Sequence, residues 1–213
     1  FFIDGLRSSF SMAKLAGERL ILSLDAIARK YSESCDYESD VTSALLDVWA
    51  IIDMSHRVRE LIQQTPGLPQ KRPCVQTFLR STEQVEKLRN HIQHLRSGIP
   101  EIPSECPPLW GAISWIPTFD SSVCYNLVTG GFIAGVQSFT ISYDLQESCY
   151  TARVLLRAEE CAVEITSILE QINSVASCIA NWIDENPRFI RQSPKTMVWK
   201  WSIHDVASSK KPK

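Results

Sequence analysis

The sequence predicts a mainly α, α+β fold: a four-helix antiparallel bundle with a small antiparallel β-sheet inserted between helices 3 and 4. Three observations carry this expectation. Apolar residues recur at helical spacing up to residue 97, and again from Thr151 to Asp184. Between these stretches the chain turns to aromatic and β-branched residues, the composition of strands.

The elements follow in order. Leu6, Phe10, Ala13, Leu20, Leu24 and Ile27 fall at intervals of three, four or seven, one face of a first helix. The small and acidic run SESCDYESD ends it. Val41, Leu45, Val48, Trp49 and Ile52 give the apolar face of a second helix, whose polar end carries Asp53, His56, Arg57 and Arg59. TPGLPQKRP stops that helix, because prolines and glycine cannot continue it. A third helix is expected from Cys74 to Ser97, with Val85, Leu88, Ile92 and Leu95 as its stripe and Gly98 just past its end. After the proline-rich IPEIPSECPP, residues 108–145 read as a β-meander insertion. In it, Gly130-Gly131 supplies a turn, and Phe139, Ile141 and Tyr143 alternate with polar neighbours.

The fourth helix is expected to be the longest, from Thr151 to Asp184. Leu155, Ala158, Ala162, Ile165, Leu169, Ile172, Ala176, Ile179 and Ile183 step three, four, three, four without a fault. Val154, Cys161, Ile168, Val175 and Trp182 add a second stripe, and the width of the two together suits the interior of a bundle better than a coiled-coil seam. Asn186-Pro187 ends the helix. Residues 186–213 form a C-terminal extension in which 196–203 alternates like a strand. With 44% hydrophobic residues the 213-residue chain can bury a core, and one domain over 1–213 is expected.

Bulk properties exclude several classes. The net charge of −2 gives no global field toward nucleic acid or an acidic membrane, so any polyanion site must be local. No apolar run reaches the ~20 residues of a membrane span. The opening FFIDGLRSSF lacks the basic and apolar regions of a signal peptide, and the absence of Met at its head points to a native start further upstream. The seven cysteines are scattered, odd in number and without a CxxC pair, which argues against a disulfide framework and a zinc cluster. Cys161 and Cys178 fall in apolar patterns, where a thiol acts as a small hydrophobe. The expected setting is the reducing cytoplasm.

There is no glycine-rich phosphate loop, no HExxH and no GxSxG elbow. His91 and His94 stand three apart but lack further ligands, so no metal and no cofactor is expected. What remains is LRNHIQHLRSG. With Leu88, Ile92 and Leu95 turned inward, Arg89, Asn90 and His94 share the polar side, and Asn90 and His94 lie one turn apart. From His56 to Arg96 eight lysines and arginines face three acids, so positive charge gathers here in a slightly acidic chain. A histidine can move protons near neutral pH, and an arginine can grip a phosphate in two-pronged fashion. Together they suffice for metal-free RNA cleavage by attack of the 2′-OH on its own phosphate.

The run Arg89-Asn90-His91-Ile92-Gln93-His94 resembles the R-x4-6-H motif of HEPN domains, with the polar residue that often follows the arginine. The resemblance covers about residues 5–97 and 151–185. It implies a helical bundle and a metal-independent ribonuclease of toxin–antitoxin, phage-defence or RNA-processing systems, dimeric, with two motifs facing each other in one site. On that basis Arg89 would bind the scissile phosphate, His94 would transfer protons, and Asn90 would orient His94 or contact RNA. Lys87, His91, Arg96, His56 and Arg57 would support substrate binding. The implied partners are a second copy, RNA and an antitoxin or other protein, with no membrane. The meander and the C-terminal strand are not part of the family's minimal pattern.

Other readings of the same residues stay open. A histidine near a helix C-terminus is favoured by the dipole alone. Asp53, His56 and Arg57 fit a local salt-bridge cluster. Trp110, Trp115, Trp199 and Trp201 could stack bases, yet suit a sheet core or an interface. The alternative to an enzyme is a non-catalytic helical interaction or assembly protein.

Overall fold

Helix α1 spans Phe2–Ser32 and α2 spans Glu38–Gln64 in the computed structural model, which describes residues 2–93, 110–129, 141, 143–144, 149–158 and 161–186. The expected stripe of α1 is buried at Leu6, Ala13, Leu20, Leu24 and Ile27, with Phe10 packed at its edge. Val48 and Ile52 are the buried centre of the α2 face. The helices are antiparallel: Lys30 pairs with Asp40, Arg19 with Asp47, and Gly5 lies against Leu61.

The third predicted helix is two. Helix α3, Pro73–Ser81, opens on a proline, which suits a first helical turn, and α4 runs Glu83–Gln93. They meet at Thr82, which is fully buried. Phe78, Val75, Val85 and Leu88 carry their buried faces, while Leu95 lies outside the described residues.

The largest departure from expectation falls in the fourth helix. Residues 151–158 and 161–164 are not helical. Strands β5 (Val154–Ala158) and β6 (Cys161–Glu164) form an antiparallel hairpin, and helix α5 begins only at Ile165 and ends at Glu185. The stretch VLLRAEECAVEI satisfies two periods at once. Leu155, Ala158 and Ala162 fit a helix, but Val154, Leu156 and Ala158 alternate, and it is these that are buried. Glu164 settles where the helix starts. Its carboxylate accepts from the backbone N–H groups of Thr166 and Ser167, as an N-cap does, and also from those of Arg153 and Val154. From Ile165 on, the predicted stripe holds, with Ile168, Ile172, Val175, Ile179 and Trp182 buried.

The four-stranded sheet is antiparallel throughout, in the order β2-β1-β5-β6, where β1 is Ala112–Trp115 and β2 is Tyr125–Val128. A separate pair joins β3 (Tyr143–Asp144) to β4 (Cys149–Tyr150). The expected meander strands β1 and β2 are thus present, but they complete their sheet with the hairpin that follows. The predicted turn at Gly130-Gly131 and the predicted strand at 196–203 lie outside the described residues. Trp115 is core, stacked at 5.4 Å on its cross-strand partner Tyr125, and Tyr125 meets Tyr31 edge-on at 6.2 Å. Trp110 is exposed, while Trp199 and Trp201 lie outside the described residues. Helix α5 packs on α3 and α1, and α4 packs on α2 and β6.

One cysteine expectation fails. Cys74 on α3 and Cys178 on α5 are disulfide-bonded, 104 residues apart in sequence. Sequence spacing could not show this, because only the packing of α3 on α5 brings the two together. Cys161 is a free, half-buried thiol on β6. No helix among the described residues is long and apolar enough to cross a membrane.

Two features yield measurable expectations. Gly111 precedes β1 at φ +77°, and a Cβ there would stand 2.5 Å from the Arg157 carbonyl oxygen on β5. Gly111→Ala should therefore cost about 1–3 kcal/mol in urea unfolding, as strain that the neighbouring strand cannot relieve. Asp47 is buried, with one oxygen 3.2 Å from Arg19 and the other without a hydrogen-bond partner. Burial raises its pKa above the ordinary carboxylate range, and Arg19 only partly opposes this. The folded state therefore holds a proton that the unfolded state releases, so stability from this group grows as pH falls toward ~4 and is lost as pH rises through the raised value. In paired unfolding measurements, Asp47→Asn should gain most on the parent at neutral pH, with the advantage shrinking on acidification. A difference independent of pH would contradict this.

Candidate functional site

The candidate site rests on α4. Val85 and Leu88 anchor that helix in the core. One flank then carries Arg89, half-buried, and beside it Asn90 and Lys87 are exposed. The structure draws Arg89 further in than a purely polar face would require. Its Nε is enclosed and makes no hydrogen bond. The neighbouring arginines differ in this respect. Arg57 pairs with Asp53 at 2.8 Å, Arg59 with Glu86 at 3.3 Å, and Arg72 with Glu185 at 2.6 Å. Arg89 grips no carboxylate among the described residues. The side chain of His91, and all of His94 and Arg96, lie outside the described residues.

The direction of α4 is set from α2. Arg59 is almost wholly buried, and its guanidinium donates to the Leu79 carbonyl, to Thr82 Oγ1 at 2.8 Å and to Glu86 Oε2 at 3.3 Å. Thr82 Oγ1 in turn donates to the Phe78 carbonyl at 2.6 Å. In an unbroken helix the Leu79 carbonyl would accept from the amide of residue 83. Arg59 takes that place, so the chain can leave α3 and restart as α4 without a stranded carbonyl. The spacing held a hint of this. Arg59 stands seven residues after Ile52 and three before Ile62, on the buried side of α2, whereas Arg57 stands four after Asp53 on the outer side.

The two α2 candidates are separated by the same geometry. Arg57 is exposed, and its ion pair with Asp53 matches the local salt-bridge reading. His56 is buried; its Nε2 lies 3.4 Å from Glu60 Oε1, yet neither ring nitrogen makes a hydrogen bond. No hydrogen bond or ion pair joins His56 or Arg57 to Arg89. Among the described residues no group of histidines, cysteines or carboxylates is arranged to hold a metal ion. No family model, curated protein or solved structure matches the chain.

If Arg59 sets the junction, Arg59→Ala leaves the Leu79 carbonyl without its side-chain donor, at about 1–3 kcal/mol, while Thr82 Oγ1 keeps its bond to the Phe78 carbonyl. The half-exposed Glu86 adds little to this. Urea unfolding should show that loss, and Arg57→Ala, which breaks only an exposed pair, should change stability by less than about 1 kcal/mol. Equal losses in the two variants would refute the assignment.

Proposed function

We propose that the chain is a HEPN-like, metal-independent endoribonuclease that acts as a toxin or phage-defence effector in the cytoplasm. The observation that supports this most is Arg89: a half-buried arginine, held on an anchored helix, that pairs with no carboxylate among the described residues. Such a group is pre-positioned for an anionic ligand. Lys87 and Asn90 stand exposed beside it, where an RNA backbone could reach them.

In this reading Arg89 holds the scissile phosphate and neutralises the charge that builds on its oxygens. His94 takes the proton from the 2′-OH as that oxygen attacks phosphorus. The 5′-oxygen leaves with a proton from the facing His94 of a second copy, giving a 2′,3′-cyclic phosphate. Asn90 orients His94 or contacts the RNA, and Lys87, His91 and Arg96 bind flanking phosphates. In this reading the helices would correspond to the antiparallel bundle of such domains, and an antitoxin protein would cover the α4 face. A cytoplasmic setting would subject the Cys74–Cys178 bond to reduction. The second reading, a non-catalytic assembly protein, draws support from the exposed apolar residues of α1.

The deciding experiment incubates pure protein with RNAs of varied sequence, with and without a metal chelator. Cleavage should persist in chelator and yield cyclic-phosphate ends. His94→Ala and Arg89→Ala should each lower the rate at least about 100-fold. Cleavage unchanged in His94→Ala, or absent from the parent protein on every RNA, rejects the enzyme and leaves the assembly reading.

A further inference from the structure

Helix α1 carries a second stripe that the core does not use. Ser8, Met12, Leu15, Arg19, Leu22 and Ala26 are spaced four, three, four, three, four, along the flank of α1 that borders α2, where Ser8 and Met12 line a cleft with Asp53 and Arg57. The large apolar members are well exposed: Met12 at 54%, Leu15 at 55% and Leu22 at 70%. Leu46 of α2, exposed at 64%, directly precedes Asp47, which receives Arg19. Isolated exposed leucines need no explanation, but several on one helical face mark a contact surface.

Spacing of alternately three and four is the signature of a seam for one further helix crossing at a shallow angle. We infer that this face pairs antiparallel with α1 of a second copy of the chain. A two-fold axis near residue 17 places Met12 opposite Leu22 of the second copy. The same axis sets Leu15 against the aliphatic stem of the second copy's Arg19, and Ser8 against its Ala26. Large residues meet large ones near the centre, and small residues meet small ones at the ends, as a self-complementary two-fold contact requires. The charges agree as well. Glu18 flanks the seam, weakly held by Lys14 at 3.9 Å. The two-fold brings it beside Arg19 of the second copy, twice over.

The pairing does not rest on the ribonuclease reading. The seam lies on α1, whereas Arg89 lies on α4, which packs on α2 and β6. A dimer joined through α1 leaves both α4 helices free, and a composite Arg89/His94 site would need a separate contact between copies.

Sedimentation of the full chain over a micromolar concentration series tests this. The parent should be an even-numbered oligomer, and Leu15→Lys with Leu22→Lys should halve its mass while leaving the circular dichroism unchanged. A monomeric parent, or a variant of unchanged mass, overturns the proposal. The register has its own test. With both Ser8→Cys and Ala26→Cys in one chain, oxidation should give a covalent dimer beyond the background of the native thiols, while either change alone should not. Cross-linking by a single variant would mean a different arrangement and overturn the antiparallel seam. RNA cleavage reports separately: loss of dimer mass with cleavage retained leaves the ribonuclease reading standing, and the reverse result leaves the seam standing.

Discussion

The buried guanidinium of Arg59 is the contact on which the arrangement of the helices depends. A helix that breaks inside a core exposes carbonyls that water cannot reach, and the cost of leaving one bare is comparable to that of a lost packing residue. Arg59 answers the break between α3 and α4 with one group that serves the Leu79 carbonyl, the Thr82 hydroxyl and the Glu86 carboxylate. Only a planar, multi-donor cation can do this from one position. With the break satisfied, α3 packs against α5 and α4 turns toward α2 and β6. The candidate motif inherits its placement from that turn, since Arg89 sits two turns beyond Thr82.

The arginines of this chain illustrate how the same residue type is given different work by its surroundings. Arg57 and Arg72 lie in exposed or half-exposed ion pairs, which add little to stability. Arg29 lies over the ring of Phe119 at 4.7 Å. Arg59 is structural. Arg89 is half-buried, its Nε makes no hydrogen bond, and it pairs with no carboxylate among the described residues. Three cations of the stretch from His56 to Arg96, namely Arg57, Arg59 and Arg72, thus face carboxylates, while Lys71, Arg80 and Lys87 stand exposed.

Much of the fold could be read from the sequence where one period dominates. The stripes of α1 and of α5 after Ile165 are unambiguous, because each extends over many turns and no alternation competes with it. Legibility failed where two periods coincide. In Val154–Glu164 a helix and a hairpin place apolar residues almost equally well, and long-range pairing with β1 decided for the strands. The break at Thr82 was hidden for a related reason: its neighbours are good helix formers, and the group that compensates the break lies 23 residues earlier. The Cys74–Cys178 bond was equally out of reach, being a consequence of helix packing. At the candidate site, the expected helix under Arg89 and Asn90 is present as α4, while His94 lies outside the described residues. Sequence did not foretell that Arg89 would be half enclosed, or that His56 would be buried away from solvent.

Glu164 joins two parts of the molecule that the sequence presents as consecutive and separate. One carboxylate closes the first turn of α5 and also holds the amides that open β5. Fraying of that helix end therefore removes acceptors from the strand, and departure of the strand uncovers the helix cap. The shared carboxylate thus couples opening of the hairpin to opening of the first turn of α5, a link that amide exchange at Val154, Thr166 and Ser167 would read. A helix terminus, ordinarily the first place where a helix loosens, is here tied to a sheet.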